Sequence, residues 1–264
     1  GLADVSIATN QSYKRVAVQR GGMRASDVYV VRSGPKVEKL KLSPPVAAHR
    51  QGKKFLVGYV GVIGRQEGLD FLLESASRVL TQMGRYAVQF AVVGDGPQLA
   101  AVKQEAEDLG VADNFTFYGR ASDSVLLEVL NTADVCVNPD RMSAMNDQST
   151  MNKVLEYMTL AKPIVQFDLT EGKHSAGKAS LYARPDDAAD FADKIIELLE
   201  NEDKRAEMGA LGRARILNEL SWAHSAPVLL KAYDAVFNGR GAAPMRKPRS
   251  LDHRPFASTR PSAS

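Results

Sequence analysis

The residues richest in chemistry lie in "AMNDQSTMNKVLEYMTLAKPIVQFD", residues 144 to 168. Ser149 or Thr150 can cap a helix whose apolar face is Val154, Leu155 and Met158. The backbone N–H groups of Thr150, Met151 and Asn152 would then be free at a helix N-terminus, where aligned peptide dipoles favour an anion such as phosphate. Lys153, one turn in, can add a full positive charge. Glu156 follows three residues later and so shares a helix face with Lys153. At about 1.5 Å rise per residue it lies several ångströms along the axis from those amides, roughly the separation of a phosphate from a ribose. A carboxylate there can accept hydrogen bonds from two ribose hydroxyls. Taken alone, Lys153 and Glu156 are equally read as an ordinary surface ion pair.

Three other turns carry informative residues. "VGYVGVIGRQEG" (57 to 68) places Gly58, Gly61 and Gly64 after an apolar run, which raises the question of a dinucleotide fingerprint. That fingerprint needs glycines spaced by one and then two residues, with a ribose-binding acid about 20 residues on. Here the spacing is two and two, and Asp95 comes about 30 residues after Gly64. A nicotinamide or flavin site is therefore a poor match, while a phosphate or sugar approaching bare backbone at Gly61 or Gly64 fits. "VVGDGPQL" (92 to 99), with Gly94, makes a sharp turn into a helix and by itself is no more than a turn. "FYGRASD" (117 to 123) sets Arg120 just past a strand end, where it can flank a base or phosphate or simply pair at the surface.

These turns need a scaffold to hold them. Near-continuous Val, Ile, Leu and Phe runs at "FLVGYVG", "VQFAVVGDGP", "NFTFYG", "DVCVNP", "PIVQFD" and "ASLYAR" alternate with helix-period stretches, of which "LDFLLESASRVLTQMG" is the clearest. Strands with no polar alternation and a helix after each predict a parallel sheet covered on both faces. Right-handed crossovers make it an α/β doubly wound, Rossmann-like domain whose ligand sits at the carboxyl ends of the strands. Before it, a strand (4 to 9), a helix ending at Gly21 and Gly22, and a strand (28 to 34) precede a stretch with adjacent prolines that reads as a linker.

Composition narrows the function classes. The 264 residues are 44% hydrophobic, enough for a substantial core. No run of about 18 apolar residues suggests a span, and no secretory leader opens the chain, so a cytoplasmic protein is expected. Cys136, the single cysteine, reads as a buried hydrophobe. The four histidines are scattered, so no metal site is expected; His174, in the loop-like "TEGKHSAGKAS", is open to a ligand or to solvent. The +3 charge comes from residues 238 to 264, with six basic residues and one acid; the preceding chain has 28 basic and 30 acidic residues. The body does not look like a nucleic-acid binder. The proline-rich basic end reads as disordered, and a peripheral contact with an anionic membrane is a secondary reading.

The ordered series "GYVGVIGRQEGLDFLLESA", "VVGDGP", "FTFYGR", "NTADVCVNP", "STMNKVLEYMTLAKPIV" and "SLYARPDDAADFADKIIELL" resembles the nucleotide-sugar-binding C-terminal half of GT-B glycosyltransferases of the large retaining "group 1" family. "LSWAHSAPVLLKAYDAVF", with Trp222, looks like that family's closing helices. The resemblance covers about residues 1 to 237 and rests on the series, since each motif alone is weak. It implies that 1–34 end an acceptor-side domain, 35–54 cross over, 55–220 form the donor domain, 221–237 close it, and 238–264 are a tail. The chain is then expected to be a piece of a longer protein.

Carried over position by position, the resemblance gives Glu156 the ribose and gives the amides at Met151, Asn152 and Lys153 the pyrophosphate. Gly61, Gly64 and Gly94 fall in cleft-facing turns, and Arg120 falls beside the base. Where the family has its first glutamate stands Gln148, with Asp147 next to it as a substitute. Val62 and Glu67 stand where the family has basic residues, leaving Arg65 and Lys153 to supply charge. The implied activity is retaining transfer from a nucleoside diphosphate sugar to a carbohydrate or lipid-linked acceptor in bacterial surface-polysaccharide assembly, with no metal or other cofactor. A nicotinamide oxidoreductase and a non-catalytic nucleotide-sugar module are the competing readings.

Overall fold

This computed structural model describes residues 3–237. The expected basic tail lies outside the described residues.

Six strands form one wholly parallel sheet: β3 (Phe55–Val60), β4 (Val88–Val93), β5 (Phe115–Gly119), β6 (Val135–Asn138), β7 (Ile164–Phe167) and β8 (Ser180–Ala183). Their order is β5-β4-β3-β6-β7-β8, so the winding reverses between β3 and β6. Alternate residues of β3 face opposite layers. Phe55, Val57 and Tyr59 join one buried cluster, while Leu56 and Val60 join the other. A strand buried on both sides has no solvent face to encode, which is why its sequence is unbroken apolar.

The first cluster lies under α2 (Leu69–Met83), α3 (Leu99–Asp108) and α8 (Ala188–Glu200). In α2, Leu69, Leu72, Leu73, Ala76, Val79 and Leu80 are all buried, the spacing of one helix face. The second cluster lies under α4 (Asp123–Thr132) and α6 (Asn152–Thr159). Three described helices had no counterpart in the expected order: α5 (Ala144–Gln148), α7 (Thr170–Ala176) and α9 (Glu202–Arg215). The first two are too short to show periodicity, and the third buries only Met208, Gly209 and Gly212, which leaves no apolar stripe to detect. α9 (Glu202–Arg215) runs through a π-helical turn, Ile216–Leu220, into α10 (Trp222–Phe237).

A separate pair of parallel strands, β1 (Ser6–Ala8) and β2 (Val28–Val30), brackets α1 (Gln11–Gln19). The proline-containing stretch after β2 is docked rather than free. Ser43 and Val46 donate backbone N–H groups to Asn131 Oδ1 and Thr132 Oγ1. Arg50 pairs with both oxygens of Asp134, at 2.5 and 3.0 Å. The stretch after β2 also touches the start of α10, since Trp222 N donates to Pro35 O at 3.3 Å.

Candidate functional site

In a doubly wound sheet the crevice opens where the winding reverses, beyond the carboxyl ends of the strands. Here that point lies between Gly61, after β3, and Asp140, after β6. A cleft of about 490 Å³ fills it, lined among others by Gly61, Val62, Asp140, Thr150, Lys153 and Glu156. A second hollow of about 490 Å³ adjoins it through Gly61 and Val62 and is walled by Asp95, Gly96 and Arg120.

α6 is aimed at the cleft by its own tyrosine. Tyr157 is fully buried, and its hydroxyl accepts from Val60 N at 2.9 Å and lies 3.3 Å from Val137 O, to which it donates. One side chain thus ties the helix to the last turns of both β3 and β6. Val154, Leu155 and Met158 complete the buried face, leaving Lys153 and Glu156 to point into the opening. The helix starts later than the sequence predicts. Its N-cap is Met151, which gives no side-chain cap, and neither Ser149 nor Thr150 caps it. Ser149 instead bonds back to Met145 O, and Thr150 receives Asn10 Nδ2, so both hydroxyls are drawn into a loop. The first helical amides, with no carbonyl in reach, are those of Asn152 and Lys153.

The charged side chains lining the cleft are Glu67, Asp140, Lys153 and Glu156. Lys153 Nζ donates to Asp140 Oδ1 at 2.9 Å and sits over the Tyr59 ring, 4.9 Å from its centroid. Asp140 is buried, and its Oδ2 has no hydrogen-bond partner. Tyr59 donates its hydroxyl to Val62 O at 2.7 Å, fixing the turn after β3. Burial, then the nearby charges of Asp140 and Glu67, hold that phenol well above its ordinary range. The Glu156 carboxylate makes no hydrogen bond or ion pair among the described residues. Burial raises its carboxyl above the usual range, and the charge of Lys153 opposes that only in part.

The predicted site residues divide accordingly. Gly61, Thr150, Met151, Asn152, Lys153 and Glu156 line the cleft, and Arg120 lines the adjoining hollow. Gly64, Arg65, Gly94, Asp147 and Gln148 line neither. Arg65 is exposed in a single 3-10 turn, Arg65–Glu67, and its carbonyl accepts from Arg141. Gly94 has a structural reason: at φ 149°, a Cβ there would lie 1.8 Å from Gly61 O. It lets the turn after β4 pass beneath the turn after β3. The Asp147 carboxylate is occupied, accepting from Thr170 N at 2.7 Å and Thr170 Oγ1 at 3.1 Å at the start of α7. Gln148 contributes its carbonyl to Asn10. His174 is an exposed helical residue of α7, away from both hollows.

Sequence reasoning passed over Asp140, Tyr59, Asn146 and Asn10. Asp140 had a signal, being an acid just beyond the end of a parallel strand. Asn146 is buried and donates to Gln66 O at 3.0 Å and Arg141 O at 2.9 Å, tying α5 to the turn after β3. Among the described residues no group of three or more His, Cys, Asp or Glu is placed to hold a metal ion. No described helix is long and apolar enough to cross a membrane.

The family description "Glycosyl transferases group 1" matches residues 54–201. The chain is 26% identical over 203 residues to the 2-deoxystreptamine glucosyltransferase of Streptomyces kanamyceticus, covering 73% of this chain and 50% of that one. It is 26% identical over 247 residues to the D-inositol 3-phosphate glycosyltransferase of Nocardia farcinica, covering 88% and 53%. With the alpha-maltose-1-phosphate synthase of Mycolicibacterium smegmatis it shares 29% over 238 residues, covering 84% and 57%. The chain thus spans about half the length of these curated relatives. The fold superposes on Anabaena HepE in complex with UDP and glucose, with a TM-score of 0.76 at 18% identity, covering 88% of this chain and 63% of that one. It also superposes on S. aureus TarM, solved with fondaparinux, alpha-GlcNAc-glycerol and UDP, at TM-score 0.71 and 19% identity, covering 88% and 44%. Fold class and family agree: an α/β doubly wound domain of GT-B type, in a chain that belongs to the group 1 glycosyl transferases.

Proposed function

We propose that the cleft binds a nucleoside diphosphate sugar and that the chain is the donor-binding half of a glycosyltransferase that acts with retention, in polysaccharide or glycolipid assembly. Residues 1–34 are read as the end of the acceptor-side domain, 35–54 as the crossover and 55–220 as the donor domain. The observation that carries the reading is Glu156: a half-buried carboxylate with no protein partner, one turn inside a helix whose free amides and lysine face the same opening. Burying such a group unpaired is costly, so a site that keeps it gains from a ligand that supplies donors. Two ribose hydroxyls do that.

The diphosphate then lies on the amides of Asn152 and Lys153, with the Lys153 ammonium beside it, and the base lies in the hollow of Gly61, Asp95, Gly96 and Arg120. During transfer the bond from the anomeric carbon to the diphosphate oxygen breaks, an acceptor hydroxyl oxygen takes that carbon, and the hydroxyl proton passes to the departing diphosphate. Negative charge grows on the leaving diphosphate, where the fixed amide dipoles and Lys153 stabilise it. The named relatives are glycosyltransferases or a sugar-phosphate synthase, which supports the reaction class. A thermal-shift panel of UDP, GDP, ADP and their sugars, with NAD as control, tests the reading. One diphosphate series should stabilise the protein and NAD should not; stabilisation by NAD alone refutes it.

A further inference from the structure

Resting on the reading of the cleft as a nucleoside diphosphate site, we propose that Asn10 is a positioning residue for that site, holding the segment that leads into α6 so that the α6 amides face the phosphates. Asn10 belongs to the β1–α1 unit, far in sequence from the residues that line the cleft, yet it is fully buried against the segment that holds Gln148 and Thr150. Its Oδ1 accepts from Tyr13 N at 2.8 Å, which caps α1. Its Nδ2 donates twice across the fold, to Gln148 O at 2.8 Å and to Thr150 Oγ1 at 3.1 Å.

A helix cap needs only an acceptor, and Asp, Ser or Thr would serve as well. Only an amide side chain offers an acceptor and two donors together. The two extra bonds fall on either side of Ser149, in the irregular segment between α5 and α6 whose residues Ser149, Thr150 and Met151 line the cleft. That segment has no ladder or helix of its own to fix it. On its far side, α5 is tied to the turn after β3 by Asn146. On the near side the restraint comes from the other structural unit, where Asn10 makes two bonds and the Tyr13 hydroxyl meets Ser149 Oγ at 2.9 Å. Nucleotide affinity is thereby coupled to how the β1–α1–β2 unit sits on the donor domain.

The test compares the unmodified chain with Asn10→Asp, which keeps the acceptor for Tyr13 N but cannot donate to Gln148 or Thr150, and with Thr150→Val, which removes one of the two bonds. Backbone hydrogen exchange over residues 148–153 and over α1 is read alongside calorimetric affinity for UDP, GDP and ADP. In Asn10→Asp, exchange should rise about tenfold or more in 148–153 while α1 keeps its protection. Affinity for the diphosphate that the unmodified chain binds should fall about tenfold, with Thr150→Val intermediate. Unchanged exchange in 148–153 overturns the proposal. So does an equal rise across α1 and the core, which marks a general loss of stability, or a local rise with affinity intact. Failure of the cleft reading looks different: the unmodified chain binds none of the three diphosphates.

Discussion

Lys153 Nζ and Asp140 Oδ1 meet at 2.9 Å inside the cleft, with side chains only 11% and 2% exposed. The lysine read as a phosphate ligand is thus already paired to a carboxylate whose second oxygen lacks a partner. Removing one member of a buried pair leaves an uncompensated charge, at a cost of about 3–5 kcal/mol. Asp140→Asn should therefore lower the melting temperature of the free protein by several degrees. A diphosphate restores the missing negative charge, so its stabilising shift should be larger in Asp140→Asn than in the unmodified chain. Scanning fluorimetry with and without UDP, GDP or ADP checks both signs; an unchanged melting temperature would show that the pair is energetically neutral.

Glu156 sets stability against binding. Its carboxyl is raised in the folded protein by burial, so folding favours the protonated form. The sign follows from linkage: the stabilising contribution is complete below the ordinary carboxylate range and is lost as pH rises through the raised value. At neutral pH the ionised group is a burden, and Glu156→Gln should raise the melting temperature while weakening nucleotide binding. For the unmodified protein, diphosphate affinity should decline on acidification at a higher pH than an ordinary glutamate would give. Titrations across that range, with Glu156→Gln as the flat control, check it.

Asp147 offers a contrast. It accepts both donors of Thr170 where α7 begins, and it lies outside the cleft. Asp147→Ala should cost about 0.5–2 kcal/mol, as for a lost cap, and leave diphosphate affinity unchanged. A fall in affinity without a fall in stability would return Asp147 to the site.

Gly94→Ala should be more damaging than its one added methyl suggests. The Cβ would meet the Gly61 carbonyl, and the backbone is in a region that L side chains rarely adopt. Because Gly61 also lines both hollows, the substitution should reduce stability and diphosphate affinity together. Denaturant midpoints and calorimetry measure the two effects.

Much of this was legible in the residues. The six strands and α2 announced themselves because burial on two faces, or on one helical stripe, leaves long apolar patterns. The cleft was placed by strand ends, and Lys153 and Glu156 by helical spacing. What stayed hidden was set by tertiary contacts. The start of α6 moved from Ser149 or Thr150 to Met151 because both hydroxyls are used elsewhere, one of them by Asn10, about 140 residues away. α5 and α7 are too short for periodicity, so Asp147 read as a substitute for the family's first glutamate and its bonds to Thr170 went unseen. Nothing in the local pattern pairs Asp140 with Lys153, since the loop and α5 between them fold back before α6 begins.

The central claim is that Glu156 receives the ribose hydroxyls of a nucleoside diphosphate. The direct measurement is a double-mutant titration: UDP, GDP or ADP and the matching 2′,3′-dideoxy diphosphate, each against the unmodified chain and Glu156→Gln. If the carboxylate and the hydroxyls act as one contact, losing either weakens binding by a similar factor, and losing both costs little more than losing one. Dideoxy and ordinary diphosphates that bind the unmodified chain equally well would contradict the claim.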